Sequence, residues 1–238
     1  MNEFDLGVFK LLFAVVQKCT VLGPILRYLA NDNFLKGGVI MAIFWWAWFR
    51  DARPVCEKRE FVVFAFVSSS SALILGRLLA LAVAFRVRPL ENSLVKFPFP
   101  AVAAGDIPHS WNSFPSDHAI LFFCLAASLW MISRWICVLA ICHAIFVIGI
   151  PRIYMGYHYP SDIAAGAMLG IVVALVGNFA RARKWVARPA FLWMERHPAS
   201  FYAFAFLWTF EVTELFRTLL NLQGFIHHSV VALLQTHN

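Results

Sequence analysis

The sequence predicts an all-α fold, a polytopic bundle of about six transmembrane helices with an amphipathic N-terminal segment. Three observations carry that prediction. Of 238 residues, 61% are hydrophobic and only 14% are charged, where a soluble domain averages about 45–50% and about 25%. Mean hydropathy is +0.71, which means more apolar surface than one water-soluble core of this size buries. The apolar residues fall in runs near the roughly 20 residues of a spanning helix, and the length accommodates about six of them with short connections. One membrane domain over residues 1–238 follows, with no soluble domain.

Taken in order, residues 1–33 form an amphipathic segment. From Phe4 to Ala30 the apolar pattern is interrupted by Lys10, Gln17, Lys18, Gly23-Pro24 and Arg27, which suits a helix pair lying along the bilayer better than a span. Glu3 and Asp5 precede this run, the reverse of a cleaved signal peptide's basic-then-apolar order, so targeting is expected through the spans themselves. Residues 34–180 hold the transmembrane core. Gly37–Phe49 is strongly apolar, with Trp45, Trp46 and Trp48 as interface anchors before Arg50. Phe61–Phe85 is a full span. Ala119–Ile132 and Trp135–Ile150 are separated only by Ser133 and Arg134 and form an antiparallel hairpin. Ile163–Ala180 is the next span. Residues 181–238 open on the basic run Arg181, Arg183, Lys184 and Arg188, then continue as an apolar stretch from near Phe201, broken by Glu211, Glu214 and Arg217.

The connection from Arg86 to Ser116 differs in kind. Pro89, Pro98, Pro100, Pro108 and Pro115 keep it from being helical throughout. Phe97, Phe99, Trp111 and Phe114 between them suit the headgroup layer. A lid beside a lipid entrance and a plain loop over the bundle are equal readings of that composition.

Net charge is +7, which in a membrane protein reflects Lys and Arg flanking the spans rather than nucleic-acid binding. Cys19, Cys56, Cys124, Cys137 and Cys142 have no CxxC spacing and indicate neither a disulfide framework nor a zinc site. His143 reads as a core histidine, His109 as a weak site candidate, and His227, His228 and His237 suggest no metal geometry.

Three polar clusters interrupt the apolar background: Arg86-Val87-Arg88-Pro89, Pro115-Ser116-Asp117-His118, and Arg152 with His158 and Asp162. Each alone is as well read as a span boundary. Parity joins them. The first ends one span, the second starts the next, and the hairpin returns the chain to the same side for the third. Ionisable residues gathered there carry a functional reading. Guanidinium groups grip phosphate through bidentate charge-assisted bonds. Pro115 and Ser116 precede an apolar helix whose free N–H groups favour an anion. His158 and Asp162 are four residues apart, so an early helix start puts them on one face, where the carboxylate fixes the tautomer of a nucleophilic His158. His118 is then the proton donor, and Arg77 lies on nearly the same face as Leu81 and Arg88 if its helix continues that far. A metal site built on His118, His158 and Asp162 is opposed by the arginines, which would repel a cation.

These residues resemble the three-part signature of the type-2 phosphatidic acid phosphatase superfamily, which includes lipid phosphatases, glucose-6-phosphatase and vanadium haloperoxidases. That signature is Lys, six residues, Arg-Pro; then Pro-Ser-Gly-His; then Ser-Arg, five residues, His, three residues, Asp. Its positions fall here on Arg88-Pro89, on Pro115, Ser116 and His118, and on Arg152, His158 and Asp162. The resemblance covers about Arg77 to Ala180. It implies an all-helical core that needs no metal or organic cofactor, a phosphohistidine on His158, His118 and Asp162 as its catalytic partners, and phosphate bound by Arg88, Arg152 and Ser116. Three departures stand out. Leu81 takes the place of the lysine, leaving Arg77 and Arg86 as candidate replacements in binding phosphate. Asp117 takes the place of glycine, and a carboxylate there is expected to meet an arginine or point away. Pro151 takes the place of the serine before Arg152. The run Ser113-Phe114-Pro115-Ser116-Asp117-His118 is similar to bacterial undecaprenyl-diphosphatases, which turns the expected substrate toward a polyprenyl diphosphate.

Arg50, Arg53, Lys58, Arg59, Arg134, Arg181, Arg183, Lys184, Arg188 and Arg196 fall on the side opposite the clusters, against Lys36, Lys96 and the arginines already assigned to the site on the cluster side. The positive-inside rule then turns the clusters away from the cytoplasm, toward the periplasm if the host is a bacterium. The expected partners are a lipid phosphate and membrane lipids, with no nucleic acid and no reading of oligomeric state. Rival readings are a phosphatidic acid or phosphatidylglycerophosphate phosphatase, a lipid phosphotransferase, and a lipid transporter or binding protein. Retention of both histidines with Asp162 favours catalysis.

Overall fold

The computed structural model describes residues 1–50, 55–101, 112–176 and 179–215. Arg53, His109, Trp111, Pro108, Arg217 and the tail histidines His227, His228 and His237 lie outside the described residues. Ten α-helices and no strand occur among them. They are α1 (Glu3–Lys18), α2 (Leu22–Asn31), α3 (Val39–Phe49, preceded by a wide turn of helix over Phe34–Gly38) and α4 (Val55–Ala82). Then come α5 (Asp117–Ser128), α6 (Arg134–His143), α7 (Ile150–Tyr154), α8 (Pro160–Val176), α9 (Ala180–Arg196) and α10 (Pro198–Thr213). A wide turn over Ala144–Gly149 joins α6 to α7, so 134–154 runs as one helical stretch.

Two helices, Lys58–Ala82 and Arg134–Tyr154, are each long and apolar enough to cross a membrane. The bent pairs α1 with α2, at 119°, and α8 with α9 raise that to up to four if each is one broken span. Phe34–Phe49 and Asp117–Met131 are apolar but shorter, so about six crossings, as the hydropathy suggests, would need these as well. The basic run Arg181, Arg183, Lys184 and Arg188 is helical: it opens α9, which carries Pro189 inside it.

α5 is the central helix. Every residue from Ala119 to Ser128 is buried, which is why its sequence is apolar all round rather than striped. α8 packs on it most closely. A Cβ on Gly166 would stand 2.7 Å from the Ser116 carbonyl, and one on Gly170 would overlap the α5 backbone at Ile120. This pair of small residues four apart lets two helix backbones touch. Their N-termini are thereby brought level, and the Ser116 N–H donates to the Asp162 carbonyl at 3.2 Å. On α4 the run Ser68–Ser71 does not disturb the helix, because each hydroxyl donates to a carbonyl three or four residues back at 2.8–3.1 Å.

The N-terminal segment is a bent helix pair, and α1 also belongs to the core. Phe9 is 0% and Phe13 5% exposed. Their rings meet Phe97 at 5.1 and 5.4 Å and Phe99 at 5.6 Å each. Phe97 and Phe99, which composition assigned to the headgroup layer, therefore face inward under α1. The reason is that stacking on two buried rings removes more apolar surface from water than an interfacial position does.

Candidate active site

The three clusters read from the sequence meet at one end of the bundle. Asn112 joins the end of α4 to the approach to α5: its side-chain oxygen accepts from the Arg86 and Phe114 N–H groups at 3.0 and 3.1 Å, and its amide donates to the Ala80 carbonyl at 3.1 Å. The Ser113 N–H returns to the Arg86 carbonyl at 3.0 Å. The first and second clusters are thus stapled together before α5 begins. The third is aimed by the turn after α7, where Gly156 has φ of 71°, a conformation that costs an ordinary residue about 1–2 kcal/mol. A Cβ there would also press on Phe99 and Leu90. The turn leaves His158 just before α8 rather than on it.

His158 is 4% exposed. Its Nδ1 donates to the Ser113 carbonyl at 2.8 Å, and since a carbonyl only accepts, Nδ1 carries a proton, which leaves the lone pair of the neutral ring on Nε2. Burial, reinforced by the positive charge of Arg88 and Arg152, pushes the imidazole well below its ordinary 6.5. A neutral imidazole with a defined free nitrogen is the form a nucleophile needs.

Asp162 is fully buried, but its nearer oxygen lies 3.9 Å from His158 Nδ1, outside hydrogen-bond range. The direct pairing expected from the four-residue spacing is replaced by an indirect one. Asp162 Oδ2 accepts from the Ser113 hydroxyl at 2.7 Å and from the Tyr159 N–H at 2.9 Å. Ser113, fully buried, is held by Asp162 through its hydroxyl and holds His158 through its carbonyl. The helix starts at Pro160, too late to align His158 with Asp162, and the preceding loop supplies the missing link.

Arg88 and Arg152 are each 8% exposed. Arg88 donates through Nη1 to the Tyr157 carbonyl at 2.8 Å, while its Nε is buried with no hydrogen-bond partner among the described residues. Burial holds its guanidinium below the ordinary value, opposed by Asp117, Glu91 and Asp162. Arg152 lies over the Tyr157 ring at 5.6 Å and touches His118 Nε2 through Nη2. The fully buried Ser116 hydroxyl at the N-terminus of α5 also has no partner among the described residues. Buried donors left open at a helix N-terminus beside two guanidiniums make a place for an anion.

Leu81, in the lysine's place, is 84% exposed and turned away. Arg77 pairs with Asp117 at 2.6 Å, so the unexpected carboxylate meets an arginine. Arg86 is committed elsewhere. Its Nη1 donates to Asp162 Oδ1 at 2.5 Å and to the Ser161 hydroxyl at 2.9 Å, Nη2 donates to Asp5 Oδ2 at 2.8 Å, and its plane lies 3.8 Å over the Tyr159 ring. His143 sits apart, bonded to the Leu35 carbonyl at 2.8 Å.

Asp5 is the residue that the sequence reading passed over. It is fully buried and accepts from the Ser161 N–H at 2.8 Å, the Ser161 hydroxyl at 2.9 Å and Arg86. The one signal was an acidic residue ahead of an apolar run, which is equally the ordinary first turn of a surface helix.

Residues 84–185 match the PAP2 superfamily. The chain is 28% identical over 183 residues to the bacitracin transport permease protein BcrC of Bacillus licheniformis, covering 73% of this chain and 79% of that protein. It is 22% identical over 169 residues to the undecaprenyl-diphosphatase BcrC of Bacillus subtilis, covering 71% and 80%. A shorter match, 39% over 59 residues, covers 24% of this chain and 28% of the undecaprenyl-diphosphatase of Sulfolobus acidocaldarius. No solved structure matches.

Proposed function

From the match of residues 84–185 to the PAP2 superfamily, we propose that the chain hydrolyses a polyprenyl diphosphate at the membrane surface through a phosphohistidine on His158. The observation that carries this is a buried imidazole whose Nδ1 donates to the Ser113 carbonyl, set among Arg88, Arg152 and the open Ser116 hydroxyl. Two relatives named undecaprenyl-diphosphatase support the choice of substrate.

In the proposed reaction His158 Nε2 attacks phosphorus in line, and the bond to the bridging oxygen breaks with its electron pair on the leaving lipid phosphate. His118 protonates that oxygen where a proton is needed, then takes one from the water that attacks the phosphohistidine and frees inorganic phosphate. Arg88, Arg152 and Ser116 hold the phosphoryl oxygens, where charge builds, with Arg77 completing the basic wall beside Asp117. Because the wall is cationic, no divalent ion is needed to gather the phosphate. Activity is therefore expected to survive EDTA, to be blocked by vanadate, and to require no organic cofactor.

The site is assigned to the face away from the cytoplasm, the periplasmic face of an inner membrane in a bacterium. At the other end of the bundle Arg50 and Arg134 lie on the exposed Trp46 and Trp130 at 4.8 and 5.3 Å, the pairing of cations and indoles typical of an interface, while Trp48, expected as a third anchor, is buried in the core. The relative named as a transport permease keeps a binding or transport reading in view, but gripping an anion requires no buried histidine oriented through Ser113. Phosphate release from polyprenyl diphosphate, phosphatidate and phosphatidylglycerophosphate in detergent tests the proposal, with the diphosphate expected to be fastest. No release from any of the three, or phosphate passed to an added lipid or sugar acceptor instead of water, overturns hydrolysis.

A further inference from the structure

We propose that Asp5, on the N-terminal helix outside the superfamily match, is a positioning residue for the nucleophile and that α1 is therefore part of the catalytic apparatus. The inference rests on the reading of His158 as nucleophile.

Arg86 stands between two fully buried carboxylates. One terminal nitrogen holds Asp162 Oδ1 at 2.5 Å and the other holds Asp5 Oδ2 at 2.8 Å. Because Asp5 occupies Nη2, Arg86 cannot close both nitrogens onto Asp162, although a guanidinium prefers that two-point grip on a single carboxylate. Asp162 therefore keeps Oδ2 turned to the Ser113 hydroxyl and the Tyr159 N–H. Ser113 in turn holds His158 Nδ1 on its carbonyl. A continuous path of hydrogen bonds thus runs from Asp5 through Arg86, Asp162 and Ser113 to His158.

Asp5 has a second hold on the same place. Its Oδ1 accepts the Ser161 N–H in the first turn of α8 at 2.8 Å, filling from another helix the part of an N-cap. The Phe9 and Phe13 rings pack against Phe97 and Phe99 and seat α1, so the carboxylate arrives on an anchored helix. Removal of its charge frees Arg86 to swing onto Asp162 with both nitrogens, drawing Oδ2 from Ser113 and letting the imidazole rotate. The loss falls on the chemical step, because Asp5 lies behind the nucleophile and touches no part of the phosphate cradle.

The experiment is a double-mutant cycle on the purified full chain, with phosphate release from the polyprenyl diphosphate as readout and His158→Ala as reference. Asp5→Asn is the main variant, since the amide oxygen still accepts from Ser161 while the charge facing Arg86 is gone. Asp5→Glu is the conservative partner, and thermal unfolding confirms that each variant folds. Asp5→Asn is expected to lower kcat about tenfold or more with KM within about twofold, and Asp5→Glu to restore part of it. With Arg86→Ala already present, Asp5→Asn should cost little more, because the path is already cut. Full kcat in Asp5→Asn, a change confined to KM, or losses that simply multiply with Arg86→Ala overturn the inference while an inactive His158→Ala leaves the nucleophile reading standing. Turnover in His158→Ala would sink that reading itself.

Discussion

The two ends of this bundle hold arginine in different surroundings: rings serve at both, but buried carboxylates serve only at the site end among the described residues. At the site end Arg86 and Arg88 are fixed by hydrogen bonds to carboxylates and a carbonyl, with buried serines, a histidine and two aspartates around them. At the other end the guanidiniums of Arg50, Arg59, Arg134 and Arg183 rest on aromatic rings at 4.8, 5.2, 5.3 and 4.2 Å, beside an apolar cavity of about 520 Å³ lined by Trp48, Phe66, Trp193 and Phe204. Both groups sit at helix ends and look alike to hydropathy. A ring face asks only for a nearby cation, worth about 0.5–1 kcal/mol when exposed, so the exposed Arg50 and Arg134 are replaceable, whereas Arg59 also donates to the Trp48 carbonyl at 3.2 Å and Arg183 is buried. A buried carboxylate asks for a donor at one place, and loss of that donor leaves a charge without its partner.

The contrast is tested most strongly by His158→Ala. Loss of the proposed nucleophile at the site end should lower kcat by about 10⁴-fold or more, measured as phosphate release from protein that unfolds at the wild-type temperature. Normal turnover would remove the mechanism. Next comes His118→Ala, which separates substrates. A diphosphate expels a phosphate monoester that needs little protonation, whereas a monoester expels an alkoxide, for which acid help is worth about 10²–10⁴-fold. The variant should therefore lose far more on phosphatidate than on a polyprenyl diphosphate when chemistry limits both. Equal collapse would assign His118 chiefly to water activation.

A smaller effect concerns pH. His158 is held well below 6.5, by burial first, so kcat/KM should stay on its plateau as the pH falls through 6.5 and drop about tenfold per unit only below the lowered value. Stability runs the other way. Between that value and 6.5 the unfolded chain takes up the proton and the folded chain does not, so stability falls as the pH drops through this window. A profile that bends at 6.5 or above would contradict the buried neutral imidazole. The smallest effect belongs to the far end: Arg134→Ala should leave kcat within about twofold, its cation resting on Trp130 near the surface. A tenfold loss there would erase the distinction between the two ends.

Much of this was legible in the linear chain. The all-helical, membrane-embedded class followed from hydropathy because a spanning helix has a length set by the bilayer and a composition set by its solvent. Parity of the spans sufficed to bring Arg88, His118, Arg152, His158 and Asp162 to one end. What sequence reasoning misjudged was fine alignment. The four-residue spacing of His158 and Asp162 suggested a direct bond, yet Gly156 and Pro160 delay α8 by enough to leave 3.9 Å between them, and Ser113 fills the role.

Other features had no local signature. Asp5 is joined to Ser161 across 156 residues, and nothing in a first-turn acid distinguishes a buried clamp from a solvated one. Arg86 and Arg77 were equal candidates for the lost lysine contact until the fold set Arg86 between Asp5 and Asp162 and Arg77 against Asp117. By itself the sequence determined the class of fold and the end of the bundle where the arginines, histidines and Asp162 gather, because composition, periodicity and spacing act over one or two helical turns. Only the tertiary structure decided which acid meets which arginine and what holds the imidazole. Those are contests between buried groups from separate helices, settled by where the close contact of α5 with α8 and the seating of α1 bring their atoms within about 3 Å.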